Sequence, residues 1–287
     1  MSLCSFSLRS SARASSKPYG VVLRRGKKPP QPLSINTTET TSIIVIGLMS
    51  QMAEVIDSPG LRNRVTVFRD RFHAGELLAE KLREVKGLEE AIIFAIPAGG
   101  VQVGKSVSEK LSLPFDLAVT RKLHVPWNRE AGFGAISWDG FVLLNEPLVK
   151  ALGLTGEQIE RCVAEEKEVI ERRLRLFRDE KPFPSVEDKA VLVVDDGLAS
   201  GFSMLTTLRT LRLRGAGKIV VGVPTAHEGA IELIRPSADV IVCLNVRSSH
   251  FYAVADAYKS WYDLDDDEVL SLLKESPLYL KWVADGD

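Results

Sequence analysis

Four short runs, Ala91 to Ile96, Ala190 to Val194, Lys218 to Val223 and Val240 to Val246, are apolar at nearly every position and show no alternation of apolar with polar residues. A strand of that kind has no face to offer to water, so both of its sides must be covered. Helical spacing fills the intervals. Phe72, Leu77, Leu78, Ala79 and Leu82 recur on one face ahead of a stop at Gly87, and Val101 to Leu111, Ser203 to Arg214 and Gly229 to Ile234 follow. Alternation of such strands with helices predicts an α/β fold, a parallel sheet flanked by helices.

Two stretches fall outside that rhythm. Leu117 to Thr120 reads as a short strand ending at Arg121 and Lys122, and His124 to Gly140, with Pro126 and three glycines, reads as a long loop or a pair of short strands. Thr155 and Gln158 have capping-box spacing, and Ile159, Cys162, Val163, Ile170, Leu174 and Phe177 then line one face of a charged helix stopped by Pro182 and Pro184. This makes a helical insertion at about 145–180, whose stripe suits packing or a homodimer surface.

The 287 residues are 45% apolar and 26% charged, which fits one large or two small globular domains. The longest apolar stretch, Ile43 to Met49, is far below the roughly 20 residues that span a bilayer, so no membrane partner is expected. Cys4, Cys162 and Cys243 lie far apart and the four histidines lack ligand spacing, which excludes a disulfide framework or zinc site and suits the cytoplasm. Residues 60–287 hold 30 basic and 35 acidic residues, the wrong balance for a nucleic-acid binder. Residues 1–28 hold seven basic and no acidic residues, and residues 1–34 have the composition of an organellar transit peptide. A later start at Met49 or Met52 explains them equally well. Residues 1–60 are therefore expected to be a disordered leader and 61–287 the folded domain.

Ligands bind an open parallel sheet at the carboxyl ends of its strands. Three such ends carry chemistry here: Ala98-Gly99-Gly100 after Pro97, Arg121-Lys122, and Asp195-Asp196-Gly197-Leu198-Ala199-Ser200-Gly201-Phe202-Ser203. In the third, small residues open a helix, so backbone N–H groups and the helix dipole converge on a place suited to a phosphate. The adjoining carboxylates repel phosphate and must face hydroxyls or a divalent cation. A ribose 5-phosphate group satisfies both demands. Two other readings compete. The acids could be a strand-end pair in an unrelated Mg²⁺-binding α/β fold, and Gly99 to Ser106 matches the Walker A pattern, which would make the chain a P-loop nucleotide triphosphatase.

Val191-Leu-Val-Val-Asp-Asp-Gly-Leu-Ala-Ser-Gly-Phe-Ser203 resembles the phosphoribosyl diphosphate (PRPP) motif of type I phosphoribosyltransferases, with Ser200 where Thr is commoner. Phe68-Arg-Asp-Arg71, Ala74-Gly75, Pro97 to Gly100, Arg121-Lys-Leu123 and Glu130 to Ile136 are similar to a prokaryotic group of predicted phosphoribosyltransferases. The resemblance implies transfer of ribose 5-phosphate from PRPP to a base or amine acceptor. Asp195 and Asp196 would hold the ribose hydroxyls, and Leu198, Ala199, Ser200, Gly201, Phe202 and Ser203 the 5'-phosphate. Ala98, Gly99 and Gly100 would bind the diphosphate by their amides. Arg121 and Lys122 would add positive charge there, with Mg²⁺ bridging the diphosphate and reached by Asp195 and Asp196 indirectly or through PRPP. Members acting on 6-oxopurines carry an Asp at the place of Ala199, so such an acceptor is disfavoured. A small hood would form from the long loop, the charged helix or the C-terminal aromatic segment. His124, Trp127, Phe251 and Tyr252 could touch the acceptor there, or could equally be surface and packing residues. A non-catalytic sensor of PRPP or a nucleotide would share the cradle without needing Arg121 and Lys122.

Overall fold

A computed structural model describes residues 52–179 and 181–279, and the leader-like residues 1–51 lie outside them. In chain order the elements are β1 (Glu54–Asp57), α1 (Arg71–Leu82), β2 (Ile92–Ala95), α2 (Gly100–Leu111), β3 (Phe115–Leu117), β4 (Arg121–Val125), β5 (Asn128–Ile136) and β6 (Val142–Leu144). They continue with α3 (Glu146–Leu152), α4 (Gly156–Arg178), β7 (Ala190–Val194), α5 (Phe202–Leu213), β8 (Lys218–His227), α6 (Glu228–Ile234), β9 (Val240–Arg247) and α7 (Asp266–Lys274).

Six strands form one all-parallel sheet in the order β1-β9-β8-β7-β2-β3. The apolar runs are its middle: every residue of β2 is buried, as are the eight inner residues of β8. From β2 the chain crosses through α2 to β3 on one side. From β7 it crosses through α5 and α6 to β8 and β9 on the other. Right-handed crossovers running in opposite directions put their helices on opposite faces. α2 accordingly packs with α1, and α5 with α6. The direction reverses between β2 and β7, and the crevice at their carboxyl ends is the topological switch point of the sheet.

A second sheet, antiparallel in the order β4-β5-β6, stands apart from the first, with α4 and α5 packed against it. It builds the hood from the His124 to Gly140 segment, which is thus two strands and not a loop. α3 and α4 occupy the stretch read as a helical insertion. α4 begins with the Thr155 and Gln158 capping box, in which the Gln158 N–H donates to Thr155 Oγ1 at 3.2 Å and the Thr155 N–H to Gln158 Oε1 at 2.9 Å. Removing one side of it with Thr155→Ala is expected to destabilise the protein by about 1 kcal/mol, read as a small fall in the thermal midpoint.

The structure corrects several expectations. The leader boundary at residue 60 falls inside the fold, because β1 pairs with β9 from Glu54 opposite Val240 to Asp57 opposite Cys243. A four-residue edge strand with an acid at each end carries too little pattern to be seen in sequence. The strand placed at Leu117 to Thr120 is Phe115–Leu117, so Arg121 and Lys122 do not end a strand of the main sheet but open β4 of the hood. The first helix stops at Leu82, and Gly87 sits beyond it in a turn with φ 75°.

The Walker A reading fails on geometry. A P-loop needs an extended loop wrapped around phosphate, whereas Gly100 to Ser106 are already helical in α2. Lys105 bonds Glu109 one turn on at 3.1 Å, Gly104 faces Ala95, and the buried Ser106 hydroxyl donates to the Phe72 carbonyl at 3.0 Å.

Candidate active site

Both small-residue turns reach the switch point, Ala98-Gly99-Gly100 from β2 and Asp195 to Ser203 from β7. The two strands are direct neighbours, Ala95 opposite Val194, so the turns open side by side. Gly100 is enclosed there: a Cβ on it would lie 3.1 Å from Asp195 Cα, Asp195 Oδ1 and the Val194 carbonyl. A Cβ on Gly99 would overlap the Asp196 carboxylate. Only glycine lets the two turns approach this closely.

The phosphate-type turn is open. Ala199 and Ser200 are exposed, Gly201 takes the left-handed conformation with φ 78°, and α5 starts at Phe202. Among the described residues, none accepts from the N–H groups of Ala199, Ser200, Gly201, Phe202 or Ser203. These donors sit at a helix N-terminus, where the dipole adds about half a positive charge. Leu198 does not join them. Its N–H donates to the Thr225 carbonyl at 3.0 Å, its own carbonyl accepts from His227 at 2.9 Å, and its side chain is buried. It fastens the turn to β8. Gly100 is likewise no amide donor, because its N–H is spent on the Ile96 carbonyl at 3.1 Å, which leaves Ala98 and Gly99.

Asp195 Oδ1 accepts from the Asp196 N–H at 2.9 Å. Asp196 Oδ2 accepts from Arg71 Nε at 2.8 Å, and its carbonyl accepts from the Tyr258 hydroxyl at 2.6 Å. Burial, and then the Asp196 charge, push the Asp195 carboxyl well above the usual carboxylate range. Burial raises Asp196 too, against the opposing pull of Arg71. Two acids crowded into one crevice with one guanidinium leave an unmet need for positive charge. Among the described residues no three His, Cys, Asp or Glu side chains group to hold a metal by themselves. A Mg²⁺ ion held by one or two carboxylates plus substrate oxygens fits such a donor set, because Mg²⁺ keeps waters and substrate ligands around it.

The hood cations behave differently from expectation. Arg121 Nε donates to Glu166 Oε2 of α4 at 2.8 Å, and His124 Nε2 approaches the same carboxylate at 3.8 Å. Lys122 lies along Gly132 of the neighbouring strand. Arg121 is therefore tied to α4. Of the aromatic candidates, Tyr252 donates to Oγ1 of Thr225, the residue whose carbonyl fastens Leu198, at 3.4 Å, whereas Phe251 is 93% exposed and Trp127 60% exposed.

Arg71 is the residue that sequence reasoning left without a task. It is 4% exposed, and Nη1 donates to the Tyr262 carbonyl at 2.8 Å while the guanidinium lies 3.8 Å from the centre of the Trp261 ring. The segment before α1 holds it in place by pairing with the chain after β9. Phe68 N–H donates to Ala257, and Lys259 and Ser260 donate back to Phe68 and Arg69 at 2.8 and 2.9 Å. The only sequence signal for Arg71 is its position in the quoted Phe68 to Arg71 run. Tyr258 and Trp261 had none.

The family model of the phosphoribosyl transferase domain matches residues 70–260, from the cap of α1 to the segment that holds Arg71. The chain belongs to the phosphoribosyl transferase family. Two strain versions of a Mycobacterium tuberculosis protein provisionally named a phosphoribosyl transferase are 34% identical to it over 209 residues, 72% of this chain and 46% of theirs. This phosphoribosyl transferase chain thus spans about half the length of the curated relatives it matches. A solved Thermus thermophilus protein, TT1426, is 34% identical with a TM-score of 0.60, covering 73% of this chain and 98% of that one. In this family member no helix among the described residues is long and apolar enough to cross a membrane.

Proposed function

We propose that the chain transfers ribose 5-phosphate from PRPP to a nitrogen of a base or amine and releases diphosphate. One observation carries this reading: at the switch point, two glycine-bearing turns and two carboxylates converge on a single crevice. The amides of Ala199 to Ser203 suit the 5'-phosphate, Asp195 and Asp196 the ribose hydroxyls, and the Ala98 and Gly99 amides the diphosphate. In the reaction the bond from the anomeric carbon to the diphosphate oxygen breaks, and a bond from the acceptor nitrogen to that carbon forms. The acceptor's proton leaves to solvent or to a nearby base.

As the bond breaks, positive charge grows on the sugar and negative charge on the diphosphate. Groups fixed in advance around both are the largest source of rate. Carboxylates turned to the ribose hydroxyls would suit the first need. When bound, Mg²⁺ would supply charge neutralisation to the leaving group, with Asp195 and Asp196 reaching it indirectly or through PRPP. Ala199 has no carboxylate to move a proton on a base, which speaks against a 6-oxopurine acceptor.

The pairing of Arg121 with Glu166 favours a second reading, a sensor that binds PRPP or a nucleotide without turnover. Calorimetric titration with PRPP and Mg²⁺, followed by a diphosphate-release screen over nucleobases and amines, separates the two. Binding with release for one acceptor is the expected result. Binding with none supports the sensor, and no binding of PRPP or of a nucleoside monophosphate overturns both.

A further inference from the structure

We propose that Arg71 is the diphosphate-side cation of the site, lying beside the Gly99 turn and exchanging its bond to Asp196 for bonds to diphosphate oxygens when PRPP binds. This rests on the PRPP reading above and assigns within it a cation beyond Arg121 and Lys122.

Three observations on different elements converge on it. First, Arg71 Nε lies 3.1 Å from where a Cβ on Gly99 would sit. Its guanidinium therefore borders the turn whose amides suit the diphosphate. Second, the side chain is held from two other sides, by the Tyr262 carbonyl at 2.8 Å and by the Trp261 ring at 3.8 Å. The head is thus pre-placed, and little rotamer entropy remains to be lost on binding. Third, no described residue accepts from its Nη2. The guanidinium has five N–H donors, so donors remain for an incoming anion.

The present partner of Arg71 is itself informative. Asp196 Oδ2 sits against Gly99, where a diphosphate would approach, and Arg71 Nε holds it there at 2.8 Å. A diphosphate carries more negative charge than a carboxylate and offers the paired oxygens that a planar guanidinium matches in bidentate fashion. The exchange gives Arg71 the stronger partner. It also releases the Asp196 carboxylate toward the ribose hydroxyls, so one movement assembles both halves of the site. Arg121 pairs at the same 2.8 Å with Glu166 of α4, an acid that belongs to neither turn.

The test compares PRPP with ribose 5-phosphate, which share every group except the diphosphate. Both are titrated with Mg²⁺ into the natural protein and into Arg71→Met and Arg71→Lys, with thermal midpoints recorded for each. Arg71→Met is expected to weaken PRPP about 10- to 100-fold, the worth of a charge-assisted bond. Ribose 5-phosphate should change less than about threefold, and competition by inorganic diphosphate should fall in step with PRPP. Arg71→Lys keeps the charge without the fork and should show a smaller loss with the same selectivity. It decides the question if Arg71→Met does not fold. Equal losses for both ligands would make Arg71 a support for Asp196 alone and overturn the proposal. So would a selective loss found in Arg121→Gln but not in the Arg71 variants. If the natural protein binds neither ligand, the PRPP reading itself falls. If it binds both and the Arg71 variants keep the same ratio, only this assignment does.

Discussion

Gly99→Ala is expected to weaken PRPP binding about 10- to 100-fold, with the fold retained. The added methyl would overlap the Asp196 carboxylate and press on Arg71 Nε at 3.1 Å. The backbone has no room to retreat, because the next residue, Gly100, is enclosed by Asp195 and the Val194 carbonyl at 3.1 Å. The carboxylate must therefore swing away, which breaks the 2.8 Å bond from Arg71 and fills the space beside the turn. Overpacking of this kind costs about 1–3 kcal/mol, here in the bound state, where the diphosphate and the methyl compete for the space beside the turn, and every 1.4 kcal/mol is about tenfold in affinity. Gly60→Ala is the control, since nothing lies within 4 Å of its added Cβ. Titration of both variants with PRPP and Mg²⁺ reads the result. Binding by Gly99→Ala within about threefold of the natural protein would remove the turn from the diphosphate site.

The same crevice shows how far the sequence could be read. The sheet was legible because buried parallel strands are apolar throughout, and β2, β7, β8 and β9 announce themselves by that rule. The turn after β7 was legible because acids followed by small residues have few physical uses at a strand end. What escaped is pairing between distant segments. Residues 68–71 and 257–262 acquire meaning only when the chain after β9 folds back and lays Trp261 under Arg71. Nothing in the spacing of either segment encodes that contact. The partner of Arg121 was hidden for the same reason, because Glu166 lies on another element 45 positions on. The amides of Leu198 and Gly100 were miscounted because a motif names residues, whereas hydrogen-bond capacity depends on neighbours such as Thr225 and Ile96.

Asp195→Asn is expected to raise the thermal stability of the ligand-free protein while weakening PRPP about 10- to 100-fold. The substitution is nearly isosteric, and Asn Oδ1 can still accept from the Asp196 N–H as Asp195 Oδ1 does at 2.9 Å. What disappears is a charge that burial and the adjacent Asp196 disfavour. The folded-state pKa of Asp195 lies above its unfolded value of about 4, so the folded state holds its proton more tightly than the unfolded chain does. Below about pH 4 both states are protonated and the carboxyl exacts no penalty. As the pH rises from there to the raised folded value, the unfolded chain ionises first and stability is progressively lost. Above that value the loss is constant. The difference in thermal midpoint between Asp195→Asn and the natural protein should thus be near zero at about pH 4, widen as pH increases and then level off. A difference that stays flat across that range would mean that the Asp195 charge is not held at a disadvantage. With saturating PRPP and Mg²⁺ the ranking should reverse, because a ligand that binds only the folded state stabilises it by an amount that grows with the logarithm of its affinity, and the natural carboxylate then meets the hydroxyls and cation it lacks alone.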